Sequence, residues 1–268
     1  MKVIRIIALC ILALAAAVCL GADFLTPHDS AEQFRQHANE PPSKSFPLGT
    51  DELGRDRLSR LLQGTRTSLL CATASAFVAI AVAAVIGLLA GYFGGWIDEI
   101  VSAVTDLFLS LPWLFAVLTL RALLPLNTSP GVSVTATFLL LAAVGWAPSA
   151  RVVRASVANL RNSGSILHAR AYGCSSTRLL RFHILPNLKP VLSAQLWISI
   201  PAFILTEANL GVLGLGINEP APSWGNMLAE LQNYQKIPEQ PWILAPALLL
   251  ILVVGSIQFV VSPRSIWE

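Results

Sequence analysis

The residues whose types and spacing could do work in this chain lie between Leu160 and Pro190, in LRNSGSILHARAYGCSSTRLLRFHILPNLKP. Arg161, Arg170, Arg178, Arg181 and Lys189 fall there, and no acid does. Apolar residues recur at helical spacing, Leu167 with Ala171, then Leu179 and Leu180, and Gly173 divides the stretch into two short helical pieces. The chemistry this implies is recognition: a basic, half-apolar helix-turn-helix between two apolar segments suits docking of a cytoplasmic partner. Bond-making chemistry finds no support. There is no GxxxxGK[ST] phosphate loop, so the chain is not expected to bind ATP itself, and no GxSxG, HExxH or paired carboxylates. His28, His37, His168 and His183 are scattered, and Cys10, Cys19, Cys71 and Cys174 form no CxxC or Cys/His metal spacing. No catalytic residue, metal ligand or cofactor site is therefore assigned.

Two acids in or near apolar runs, Asp106 and Glu207, are the other candidates. Ionisable groups inside a membrane are costly and mark function by default. Both lie within about two helical turns of a run's end, so a structural bond to a neighbouring helix competes with a pathway-lining role. Gly87, Gly91 and Gly95 are four apart and read as a face for close helix packing. Gly94-Gly95 suits a chain reversal. GVLGLG, Gly211 to Gly216, lacks the spacing of a dinucleotide loop and reads as a flexible or closely packed span end.

The elements that would position these residues are membrane helices. The chain has 268 residues, 54% hydrophobic and only 12% charged, where soluble domains carry about 25% charged residues. A net charge of +3 is too small to argue for nucleic acid. The N-terminus resembles a secretory signal, but the run from Ile6 to Ala22 is read as an uncleaved first span. Further spans are predicted at Thr67 to Gly91, Ile100 to Leu124 (interrupted by Asp106 and Pro112), Val132 to Pro148, Leu192 to Leu213 and Trp242 to Val261. The expected fold is an all-α integral membrane protein of six transmembrane helices.

Six crossings put both termini on one side. Lys2, Arg5, Arg264 and the acid-free loop from Ser149 to Lys189 assign that side to the cytoplasm. The segment 26–66 is then external. Its DELGRDRLSRLLQG places Leu53, Leu58, Leu61 and Leu62 on one face, so it reads as an amphipathic helix along the outer interface or packed on the bundle. Pro220, Pro222 and Pro238 keep a second external loop, from Gly214 to Gln240, from being one helix. The organisation is thus a helix over 1–25, an external loop over 26–66 and a five-span core over 67–262 with the docking loop at 160–190.

The block FPLGTDELGRDRLSRLLQGTRTSL closely resembles permease subunits of bacterial dipeptide/oligopeptide/nickel ABC importers, as do LLAGYFGGWID, VGWAPSARVVR, RFHILPN and PSWGNMLAE, in the family's order. The resemblance implies the type I importer transmembrane fold and a non-catalytic inner-membrane subunit. It implies half of a pathway shared with a second permease, two ATPase subunits that hold ATP and Mg, and an external solute-binding protein. The family's cytoplasmic loop carries Glu-Ala-Ala, then Gly, then Ile-x-Leu-Pro. Ala169, Gly173, Leu185 and Pro186 fall in register with it. Leu167 stands at the Glu position, His168 at the first Ala and His183 at the Ile. On this resemblance Leu167, His168, Ala169, Arg170, Gly173, Arg178, Arg181, His183, Leu185 and Pro186 form the ATPase-coupling loop, with Pro186 ending its second helix. Leu167 and His168 depart from the pattern, which leaves a permease with altered or lost coupling as the alternative, beside a stand-alone channel or secondary transporter.

Overall fold

The computed structural model describes residues 2–125 and 128–261. Arg264 and the expected core boundary at 262 lie outside them. Among the described residues eleven α-helices and short 3-10 and π turns account for the architecture, with no strand beyond an isolated bridge between Thr50 and Asp56. The helices are α1 (Lys2–Leu25), α2 (Arg57–Phe93), α3 (Gly95–Ser110), α4 (Trp113–Leu123), α5 (Pro130–Gly145), α6 (Ala147–Arg161), α7 (Gly164–Ala171), α8 (Ser176–Leu179), α9 (Leu185–Val212), α10 (Trp224–Ala229) and α11 (Ala245–Val261). Among the described residues five helical stretches are long and apolar enough to cross a bilayer, or six if the bent pair α3 and α4 forms one span.

Four boundaries differ from the sequence reading, each for a local reason. The expected amphipathic helix is the opening of α2, which runs 37 residues from Arg57. At ~1.5 Å per residue it exceeds a ~30 Å hydrocarbon layer. Asp56 starts it, accepting from the backbone N–H of Leu58 and Ser59 at 3.2 and 3.1 Å. Polar residues of this stretch are buried along with its leucines: Arg57, Ser59, Arg60 and Leu61 are inside, Leu58 and Leu62 are half-buried, and Leu53, ahead of the helix, is exposed.

The expected span from Ile100 to Leu124 is broken. Its halves, α3 and α4, meet at 86°. Leu111 is extended (φ −82°, ψ 132°) because Pro112 follows it and excludes the helical region. The expected loop from Ser149 is helical as far as Arg161, since α6 follows α5 with Trp146 between them. Pro186 does not end the second loop helix. It is the second residue of α9, and the chain just before it, Leu180–Ile184, widens into a π turn. A proline has no N–H to return to Phe182, and the wider turn accommodates the missing bond.

The chain divides into two compact units. One comprises the described parts of Met1–Ala74, Leu120–Leu139 and Ile200–Glu268. In it α1 packs against α11, and α10 against α11. Arg55 and the first turn of α2 are tied to the chain beyond α9 by ion pairs, Arg55 and Arg60 to Glu219 and Arg57 to Glu230. Burial of Arg55 opposes its charge, but the carboxylates of Glu219 and Asp51 beside it outweigh that and hold its guanidinium above its ordinary pKa. The other unit comprises Ser75–Thr119 and Leu140–Ser199. There α3 lies against α6. Gly87 and Gly91 let α2 approach α6 closely: a Cβ on Gly91 would stand 2.6 Å from the Arg154 carbonyl oxygen and one on Gly87 2.8 Å from Val153. Gly95 has open space instead, and with Gly94 it takes positive φ (56° and 67°) at the reversal into α3.

Candidate functional site

The basic loop folds as a helical hairpin on its own core. Ser163 is extended (φ −70°, ψ 148°), and its carbonyl accepts from the N–H of Ile166 and Leu167, which starts α7. Gly173 ends it at φ +79°, with its N–H on the Arg170 carbonyl and that of Cys174 on the Ala169 carbonyl, 3.0 and 3.1 Å. Ser175 is extended again and opens α8. The inner residues Ile166, Leu179, Ile184 and Leu188 are buried with Tyr92 of α2 and Val153 and Val157 of α6. Ala169 packs on the same cluster, and the Arg170 guanidinium lies 5.8 Å over the Tyr92 ring.

The other loop residues named from the sequence face away from that cluster. Leu167 is 50% exposed, so it does not pack under the loop's second limb; Ile166 takes the inward place. His168, Arg178 and Arg181 are exposed, with Arg181 5.6 Å over the ring of its neighbour Phe182. His183 is half-buried and its carbonyl accepts from the Asn187 side chain at 2.6 Å. Leu185 and Pro186 are exposed at the start of α9. None of Arg170, Arg178, Arg181 and Lys189 is ion-paired within 4.0 Å among the described residues.

Asp106 and Glu207 are not part of this hairpin. Asp106 is exposed on α3 and pairs with Arg151 of α6, one turn from the bidentate pair of Arg154 with Asp98. Glu207 is buried in α9. Its Oε2 accepts from the Ser68 hydroxyl at 2.9 Å, and Ser68 in turn accepts from the Trp224 N–H at 3.0 Å. The Trp224 indole donates to Thr65 at 3.0 Å. Glycines permit this knot: a Cβ on Gly211 would come within 2.3 Å of the Gly225 carbonyl carbon, and one on Gly225 within 2.8 Å of the Glu207 carbonyl oxygen. The arrangement joins α2, α9 and α10 and gives Glu207 a structural bond.

One buried cation escaped the sequence reading. Arg121 of α4 is 1% exposed, donates from Nη2 to the Ser133 hydroxyl and the Gly216 carbonyl at 3.1 Å each, and has no carboxylate within 4.0 Å among the described residues. Its visible signal was an arginine near the end of an apolar run. Gly216 lies four residues beyond the end of α9, so its carbonyl is a loop acceptor.

Comparison with known proteins agrees with this architecture. Residues 83–264 match the family described as binding-protein-dependent transport system inner membrane component. The dipeptide transport system permease protein DppC of Bacillus subtilis is 35% identical over 204 residues, covering 76% of this chain and 62% of that protein, so the match spans less than two thirds of it. The di/tripeptide transport system permease protein DppC of Pseudomonas aeruginosa is 35% identical over 245 residues, 89% of this chain and 78% of that one. Among solved structures, a chain of the MetNI methionine ABC transporter in inward facing conformations superposes with a TM-score of 0.59 at 22% identity, over 75% of this chain and 93% of that one, which shows a shared fold. With a family match over more than half its length and these relatives, the chain belongs to the inner-membrane components of binding-protein-dependent transport systems.

Proposed function

We propose that this subunit supplies half of the membrane pathway of an ATP-driven importer for peptides or a related small solute. A second permease subunit supplies the other half. Two ATPase subunits bind and hydrolyse ATP with Mg, and an external solute-binding protein delivers the solute. The subunit sits in a bacterial inner membrane with both termini and the hairpin around Gly173 on the cytoplasmic side.

The observation that carries this reading is the hairpin itself, in a chain of this family. Its inner face is locked to the ends of α2, α6 and α9 through Tyr92, Val153, Val157 and Leu188, while its basic outer face is uncovered. A push on that outer face reaches three helices as one packed body. The push does work only if the ATPases contact the hairpin differently in their two nucleotide states. Leu167 at the family's Glu position favours a second reading, a permease with altered coupling. The test is uptake of a labelled dipeptide by proteoliposomes holding the four-subunit complex with its binding protein outside. Uptake that requires both ATP and the binding protein is expected; uptake that proceeds without ATP or without the binding protein would defeat the proposal.

A further inference from the structure

Arg121 is a buried charge to which the importer reading gives no task. Among the described residues its acceptors are neutral, the Ser133 hydroxyl and the Gly216 carbonyl, and its Nε has none. A glutamine amide could tie α4 to α5 and to the loop beyond α9 in the same way. The positive charge is surplus to that strut and costly to bury.

Beside it lies a cavity of about 280 Å³, lined in part by Gly216, Asn218, Glu219 and Asn226. Two of these residues share the bonds of Arg121. Gly216 accepts from the guanidinium, and Asn218 donates its backbone N–H to the same Ser133 hydroxyl at 3.0 Å. Glu219 is not the missing partner, because its oxygens take Arg55 and Arg60 at 2.6 and 2.8 Å. Asp51 also binds Arg55, at 2.6 Å. Around the cavity three guanidinium groups thus meet two carboxylates, and Arg121 is the one left over.

We propose that Arg121 and this cavity form a subsite for the carboxylate of the transported solute, which in a peptide is the C-terminal carboxylate. The subsite rests on the importer reading above and narrows the solute to one with a free carboxylate. A carboxylate meets a guanidinium in a planar fork and bonds it roughly twice as strongly as a neutral acceptor. Arriving from the cavity, it takes over N–H groups now held by Gly216 and Ser133 and gives Nε an acceptor. In the proposed orientation the cavity lies at the outer end of α9, where the binding protein releases the solute.

The test uses the four-subunit complex in nanodiscs of uncharged lipid. Cys10, Cys19, Cys71 and Cys174 are replaced, and Ala229→Cys on the cavity wall reports labelling by a maleimide. Dialanine should slow that labelling, whereas dialanine amide or potassium acetate at the same concentration should not. Arg121→Gln keeps the strut and drops the charge, so the dialanine concentration for half protection should rise roughly tenfold. Arg121→Lys, which keeps a point charge without the fork, should raise it less. Equal protection by dialanine and its amide would overturn the subsite, as would unchanged protection in Arg121→Gln. Protection by acetate alone would make this a site for any small anion and overturn it too. Should Arg121→Gln fail to assemble, the comparison of acid with amide decides without it. Dialanine uptake that needs neither ATP nor the binding protein would defeat the importer reading instead.

Discussion

Gly173 shows how one residue can matter through its backbone alone. A Cβ there would meet nothing within 4 Å, so no clash accompanies substitution, yet its φ of +79° is one that side-chain-bearing residues rarely adopt. A β-branched residue would cost about 1–3 kcal/mol of local strain, whereas asparagine visits this region more readily. Gly173→Val should therefore reach the membrane at near-normal abundance but lose most ATPase retention and ATP-driven uptake, and Gly173→Asn should recover much of both. Normal uptake by the valine variant would remove the bend from coupling. Gly211 is the opposite case, filled by the backbone of Gly225 rather than conformationally demanding.

Pairs of helices carry the next set of constraints. Helices α3 and α6 are tied by Arg154 to Asp98, with one of the two bonds at 2.6 Å, and by Arg151 to Asp106. The Arg154–Asp98 pair is about one third exposed on each side (35% and 28%), so solvent screens it and its coupling should be modest. A double-mutant cycle on Asp98→Asn and Arg154→Gln should give a coupling of ~0.5–1 kcal/mol, read from thermal unfolding of the purified complex in nanodiscs. The exchanged pair, Asp98→Arg with Arg154→Asp, should recover part of the loss of either single reversal. Additive effects would show that the two charges do not hold α3 to α6.

For the molecule as a whole, the proposed orientation rests on charge. The hairpin is basic and free of acid, while the segment before α2 mixes Lys44 and arginines with Asp29, Glu32, Glu40, Asp51 and Glu52. The proposed orientation, with the hairpin in the cytoplasm, follows the positive-inside bias. On a background without native cysteines, Thr177→Cys should react with impermeant maleimide only from the cytoplasmic side and Ser45→Cys only from the outside; both positions are exposed. Reaction of both from the outside would invert the loop's assignment and remove the ATPase from its surface.

Much of this was legible in the residues. Long uncharged runs placed the spans, because about twenty apolar residues in a row have few alternatives to crossing a bilayer. The acid-free stretch with one central glycine marked a hairpin, because a positive-φ bend between short helices favours glycine. Motif order marked the family. Other features depended on residues far apart in the chain. The first turn of α2 is held inside the fold because Arg57 and Arg60 meet Glu230 and Glu219, 173 and 159 residues later. Local periodicity, which sees only a leucine stripe, left that turn either along the interface or packed on the bundle. Likewise Glu207 acquires its role from Ser68, 139 residues away, and Ile166 rather than Leu167 turns inward because Tyr92, Val153 and Val157 gather on one side of α7. Apolar length and turn chemistry are properties of neighbouring residues. The pairing of a buried charge and the inward face of a short helix belong to whatever the folded chain brings against them.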